Sequence, residues 1–209
     1  MRILVFGASG ATGKELVTQA LTREHSVTAF VRDTAKLSPH HSNLTLVQAD
    51  VRDYGAVEEA VEGHDAVLSA LGVSVPLKND PAVVQGVRNI VRAMEHSPVR
   101  RLVYLSTLAV REGRAYAGPV IQHFFSRLAR NEIADHEEKE KVIASSQLEW
   151  TIVRAPRLTH GRRKGEYRFG EYVTPVPLLP AISRADVADF MLRLLAERAF
   201  LQKKPSILY

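Results

Sequence analysis

Six short apolar runs recur along the chain, each bounded by turn residues: RILVF (2–6), SVTAFV (26–31), LTLVQA (44–49), DAVLSAL (65–71), RLVYLS (101–106) and WTIVRA (150–155). None alternates strictly between apolar and polar, which is the pattern of strands buried on both faces. Between them the spacing is helical. TGKELVTQALTRE puts Leu16, Val17, Ala20 and Leu21 on one face, and YGAVEEAVEG does the same with Val57, Ala60 and Val61. PAVVQGVRNIVRAMEHS carries Val84, Val87, Ile90, Val91 and Met94, with Asp80 as N-cap and Pro81 at the first helical position. A closing helix is predicted over 184–198, with Asp186, Val187, Phe190, Leu194 and Leu195 in mixed register. This βαβ alternation predicts a single α/β domain, a doubly wound parallel sheet with helices on both faces and a ligand crevice at the carboxyl ends of the strands.

Two stretches break the rhythm. Residues 111–130 are loop-like and then possess helical character (PVIQHFFSRLAR), and 159–180 are rich in Gly, Pro and basic residues. Both follow strands on the crevice side, so segments 111–135 and 157–180 are expected to build a substrate pocket. His123, Phe124 and Phe125 suit either an apolar wall for a flat ring or a core-facing helix turn.

The first strand runs into GASGATG and then a helix. In that context Gly7 serves a tight turn, Gly10 lets the backbone approach a pyrophosphate, and Gly13 permits close helix–strand packing. The helix N-terminus adds unpaired N–H donors, and Ser9, Ala11 and Thr12 complete the loop. The expected ligand is a dinucleotide, and the expected fold is Rossmann-type. Its identity turns on the end of the second strand, where a free ribose 2′-hydroxyl calls for an acid and a 2′-phosphate for an arginine. The sequence there is FVRD: Arg32 stands at the position and predicts NADP(H), with Asp33 the competing acceptor if the strand ends one residue later.

Taken in register, GASGATGKELV, FVRDTAKL, ADVRD, GVRNIVRAM, LVYLST and LEWTIVRAPRLT resemble the atypical short-chain dehydrogenase/reductases. The similarity is to the NAD(P)H-binding group that holds NmrA-like proteins and biliverdin reductase B (flavin reductase). It extends from residue 1 to about 191. The resemblance implies Asp50 and Val51 at the adenine, Leu71 and Gly72 along the cofactor, Ser106 and Thr107 beside the nicotinamide, and Pro156 and Arg157 near its carboxamide.

One hallmark is missing. Typical members carry Tyr-x-x-x-Lys on the helix after the fifth strand, yet no tyrosine here has lysine four residues later. Matched to that pattern, NEIADHEEKEKVIASS places Glu132 at the tyrosine and His136 at the lysine. An Asp-His pair also occurs here in biliverdin reductase B-like sequences, and an imidazole can relay a proton. The remaining charges suit a solvated face with pairs such as Glu137 and Lys141.

Reducing an unactivated ketone leaves an alkoxide that needs a placed acid, whereas a flavin, quinone or bilin takes hydride into a delocalised system that water can protonate. The expected function is therefore hydride transfer from NADPH to such a conjugated acceptor, with Ser106, Thr107 and His136 as catalytic residues. An NmrA-like redox sensor without turnover is the alternative, and a nucleotide-sugar epimerase or dehydratase ranks third.

Composition narrows the rest. The absence of cysteine excludes disulfides, thiolate metal sites and a cysteine nucleophile, and no metal is expected. A net charge of +5 suits a polyanionic small ligand as well as nucleic acid, but the basic residues are dispersed apart from Arg162-Arg163-Lys164, so no nucleic-acid partner is expected. No stretch approaches the roughly 20 apolar residues of a membrane span. A cytoplasmic protein, monomer or dimer, is the expectation.

Overall fold

All six apolar runs form strands in the computed structural model: β1 (Arg2–Phe6), β2 (Ser26–Val31), β3 (Leu44–Gln48), β4 (Ala66–Ser69), β5 (Arg101–Thr107) and β6 (Glu149–Ala155). The helices between them are α1 (Ala11–Thr22), α2 (Tyr54–Val61), α3 (Pro81–Glu95) and α4 (Arg130–Ala144). Residues 1–37, 41–72, 81–110, 130–171, 173 and 180–209 are described. The expected Asp80 cap and the candidate ring wall of His123, Phe124 and Phe125 lie outside them.

Neighbours in the main sheet run in the order β3-β2-β1-β4-β5-β6 and are parallel throughout. The chain leaves β1 toward β2 and β3, then crosses back to β4 on the other side. That reversal opens a crevice at the carboxyl ends of β1 and β4. The strands are dressed on both faces, which explains their unbroken apolar character. Ile3 and Val5 face a layer formed by α1 and the closing helix α5 (Arg184–Arg193), while Leu4 and Phe6 face α2 and α3. Leu16 and Val17 of α1 are fully buried, each stabilising the fold by about 1.5–3 kcal/mol.

The region after β6 departs from expectation. Residues 157–180 are not simply a pocket wall: β7 (Arg157–Thr159) pairs with β9 (Ala181–Ser183), and β8 (Arg168–Gly170) joins the far edge of the main sheet through β10 (Ser206–Leu208). Three-residue strands carry too little pattern to be read from sequence. The closing helix α5 (Arg184–Arg193) is shorter than the predicted 184–198, its last turn loosening at Leu194–Ala196. Asp186 is fully buried there because it is a hub, accepting hydrogen bonds from the Ser183 hydroxyl (2.8 Å), the Tyr209 hydroxyl (2.6 Å) and the amides of Lys164 and Gly165 (2.9 and 2.8 Å). These bonds fasten the 160–166 loop to α5. Among the described residues no helix is long and apolar enough to cross a membrane.

Candidate functional site

The turn from β1 into α1 requires its glycines for distinct reasons. Gly7 has φ of +74°, and a Cβ on it would stand 2.7 Å from the Ala70 carbonyl oxygen at the end of β4. Gly13 is pressed against the turn itself, where a Cβ would lie 2.1 Å from the Gly7 carbonyl oxygen. Gly10 is the N-cap of α1, extended at φ −72° and ψ 164°, and has no side chain with which to cap the helix. The first turn also has no acidic residue. The helix therefore presents uncapped amides and a partial positive charge to a cavity of about 850 Å³ that Gly7, Ser9, Gly10, Ala11 and Thr12 line. Gly13 does not line it; its part is to seat α1 on the strand. A cradle of bare backbone at a positive helix end fits a pyrophosphate.

At the β2–β3 end the cavity is bounded by Arg32, Asp50, Val51 and Arg52. Asp33, the competing acid, is not part of the wall. Its carboxylate caps the turn that follows, accepting from the Ala35 amide at 3.1 Å, and stands 3.7 Å from Lys36. Asp50 is gripped by the Arg52 guanidinium through two hydrogen bonds (3.0 and 2.7 Å) and by the Arg52 amide (2.9 Å). Those bonds, with Arg32 nearby, hold its pKa down to about 2 against a small burial effect. The loop is positioned from α3: the carboxamide of buried Asn89 donates to the carbonyls of Val51 and Arg52, both at 3.0 Å. Gly86 makes this approach feasible, since a Cβ there would strike Val51 at 2.4 Å. Leu71 and Gly72, just beyond β4, form the middle of the wall.

The inner end is built by the tips of β5 and β6 with α4. Ser106, Thr107, His136, Pro156 and Arg157 all line it. Ser106 is buried and donates to Glu140 Oε1 at 2.6 Å; its oxygen is 3.5 Å from His136 Nδ1. Glu140 is buried as well and is bound by Arg154 of β6 through Nε (3.2 Å) and Nη2 (2.6 Å), with Lys204 Nζ at 3.5 Å. Two cations and a hydroxyl thus compensate the buried carboxylate. Burial first, and the Lys139 ammonium second, hold His136 down to about 3, so its imidazole is neutral at ordinary pH. Thr107 Oγ1 accepts from the Ala109 amide at 3.2 Å and shapes the chain as it leaves β5.

Among the described side chains, His136 and Glu140, four apart on α4, reach Ser106 at the tip of β5, whereas the side chain of Glu132 lies outside the described residues. Glu140, Arg154, Asn89, Arg52 and Arg184 belong to the site and were not singled out from sequence. Arg184 lines the cavity and donates to the Leu158 carbonyl at 3.4 Å. For Glu140 and Arg154 a signal existed, a carboxylate in a helix and a cation inside an apolar strand, though each alone reads as surface charge. Of the segments expected to build the pocket, 111–129 and 174–179 lie outside the described residues. In the remainder of 157–180 only Arg157 and Leu158 reach the cavity. Among the described residues no group of three or more histidines or acids is placed to hold a metal ion.

Comparison with known proteins agrees with this geometry. An uncharacterised protein of Mycobacterium tuberculosis is 29% identical over 182 residues, an alignment covering 87% of this chain but 17% of the relative. The chain thus spans about a sixth of the length of that relative. A short-chain dehydrogenase/reductase from Veillonella parvula, solved in complex with NADP, superposes with a TM-score of 0.82 at 20% identity, covering 99% of this chain and 93% of the other. The anaerobillin reductase ChuY from Escherichia coli O157:H7 does so with a TM-score of 0.80 at 19% identity, covering 99% and 96%. These likenesses establish the Rossmann-like fold. Residues 7–198 match the NAD(P)H-binding family, and the chain belongs to it.

Proposed function

We propose that the protein is an NADPH-dependent reductase of conjugated acceptors such as flavins or bilins. The observation that carries this reading is the pair facing Ser106 among the described side chains: a neutral imidazole and a carboxylate committed to Arg154. Neither group is an acid suited to protonating an alkoxide near neutral pH. An acceptor that spreads the incoming electron pair over a ring needs no such acid, because its proton can come from water.

Preference for the 2′-phosphate rests on Arg32 and Arg52 together. Both residues line the β2–β3 end of the cavity, while Asp33 is engaged with a helical cap and Asp50 with the Arg52 guanidinium. NADPH, when bound, supplies the hydride. The chain's own contribution is placement: the α1 amides and Ser9 hold the pyrophosphate, Ser106, Thr107 and Pro156 fix the inner ring, and the apolar flanks Leu105 and Leu158 limit water there. The balance is one hydride to an atom of the acceptor's conjugated system and one proton from solvent. The supporting neighbours are the NADP complex and the bilin-type reductase among the solved folds. Steady-state NADPH oxidation with a panel of flavins, bilins and aliphatic ketones tests the proposal: turnover is expected with the first two and not with the ketones. Tight NADPH binding without turnover of any acceptor would instead favour a sensor.

A further inference from the structure

Ser106 has one proton, and the structure shows where it goes: into Glu140 Oε1 at 2.6 Å. Glu140 is an ionised acceptor, bracketed by two hydrogen bonds from Arg154 and by Lys204. What Ser106 can offer to anything else is therefore lone pairs only. His136 Nδ1, 3.5 Å away at the outer limit of a hydrogen bond, can meet that oxygen favourably only by donating. A neutral imidazole with its proton on Nδ1 carries its lone pair on Nε2. Hydroxyl and ring are thus both turned to accept, although both residue types are ordinarily able to donate.

We propose that Glu140 is a positioning residue that sets the hydrogen-bond polarity of the cavity's inner end, so that this end recognises a conjugated ring bearing an N–H or O–H donor rather than a bare carbonyl. The proposal rests on the reductase reading and narrows it. A flavin or a bilin, with imide or pyrrolic N–H groups, matches an accepting wall; a quinone, which has carbonyl oxygens alone, does not. The polarity has a definite origin. Arg154 enters from β6 and fixes the carboxylate, the carboxylate takes the serine proton, and the serine oxygen then orders the imidazole.

The test has a spectroscopic arm and a kinetic arm. Nitrogen-15 NMR of the ligand-free protein is expected to show His136 with Nδ1 protonated and Nε2 bare. In the paired variant Glu140→Leu/Arg154→Met, which replaces the buried ion pair by apolar groups of similar volume, the serine proton is released and the histidine is expected to shift toward the Nε2–H tautomer. In the kinetic arm, lumiflavin is compared with its N3-methyl derivative. The parent should discriminate by at least tenfold in KM, and the paired variant should lose that discrimination. Discrimination that persists in the paired variant would be steric and would overturn the proposal, as would an Nε2–H tautomer in the parent. Because the tautomer is read without turnover, failure of the reductase reading is distinguishable from failure of the polarity argument. If the paired variant does not fold, the parent tautomer still decides the matter.

Discussion

Gly13 of α1 and Gly7 of the preceding turn are in backbone contact, so close that a Cβ on Gly13 would lie 2.1 Å from the Gly7 carbonyl oxygen. Gly10 is looser, since its Cβ would meet the same oxygen at 3.2 Å and its dihedrals suit any residue. The two positions should therefore fail differently. Gly13→Ala should destabilise the fold by about 1–3 kcal/mol or more through overpacking, seen as a lowered unfolding midpoint. Gly10→Val should keep the circular dichroism spectrum and lose NADPH binding, because its side chain would enter the cradle.

Arg32 and Arg52 should together confer the cofactor preference. A charged hydrogen bond to phosphate contributes about 1.5–3 kcal/mol, so Arg32→Ala should weaken NADPH binding tenfold or more and leave NADH nearly unchanged. Calorimetric titration of both cofactors checks this, and equal affinities in the parent would refute the assignment.

Asn89 never touches the cavity, yet it holds the Asp50–Arg52 loop by two hydrogen bonds. Asn89→Leu leaves two carbonyls without their donor and should cost about 1–3 kcal/mol of stability. NADPH affinity should fall with it while the Gly7–Gly13 turn is undisturbed. An unchanged dissociation constant would show that the loop is held by other means.

His136 gives a pH signature. Its pKa is held down to about 3, against 6.5 for a free histidine. Between those values the unfolded chain binds the proton and the folded chain does not. This residue therefore withdraws stability as pH falls from 6.5 toward 3, and has no effect above that window. The charged groups around it are Lys139 and Glu140 on α4 and Arg154 on β6. Urea unfolding at about pH 7 and pH 5 should show a larger acid loss in the parent than in His136→Gln. Equal losses would mean the ring titrates normally.

Much of this site was legible in the sequence, for physical reasons. Strands buried on both faces are written as apolar runs, and the glycine turn is written in residues that only a close backbone approach requires. Arg32 was readable because strand ends are. Ser106, Thr107, Pro156 and Arg157 were placed through the resemblance and lie on the cavity wall. Glu140 was not legible, because a charge in DHEEKEK looks solvated until Arg154 of a distant strand is seen to meet it. Asn89 was hidden for the same reason, since its partners are carbonyls nearly forty residues earlier. The β8–β10 edge escaped because three-residue strands are specified by tertiary pairing rather than by their own pattern.

The most direct measurement is a single-turnover reaction in which the NADPH-loaded protein is mixed anaerobically with a flavin and, separately, with an aliphatic ketone, following loss of NADPH absorbance. Rapid oxidation by the flavin, slowed by deuterium at the transferred position of NADPH and persisting in His136→Ala within about a hundredfold, is the predicted result, with the ketone inert. Brisk reduction of the ketone would require an acid that the described residues of the site do not supply and would contradict the account.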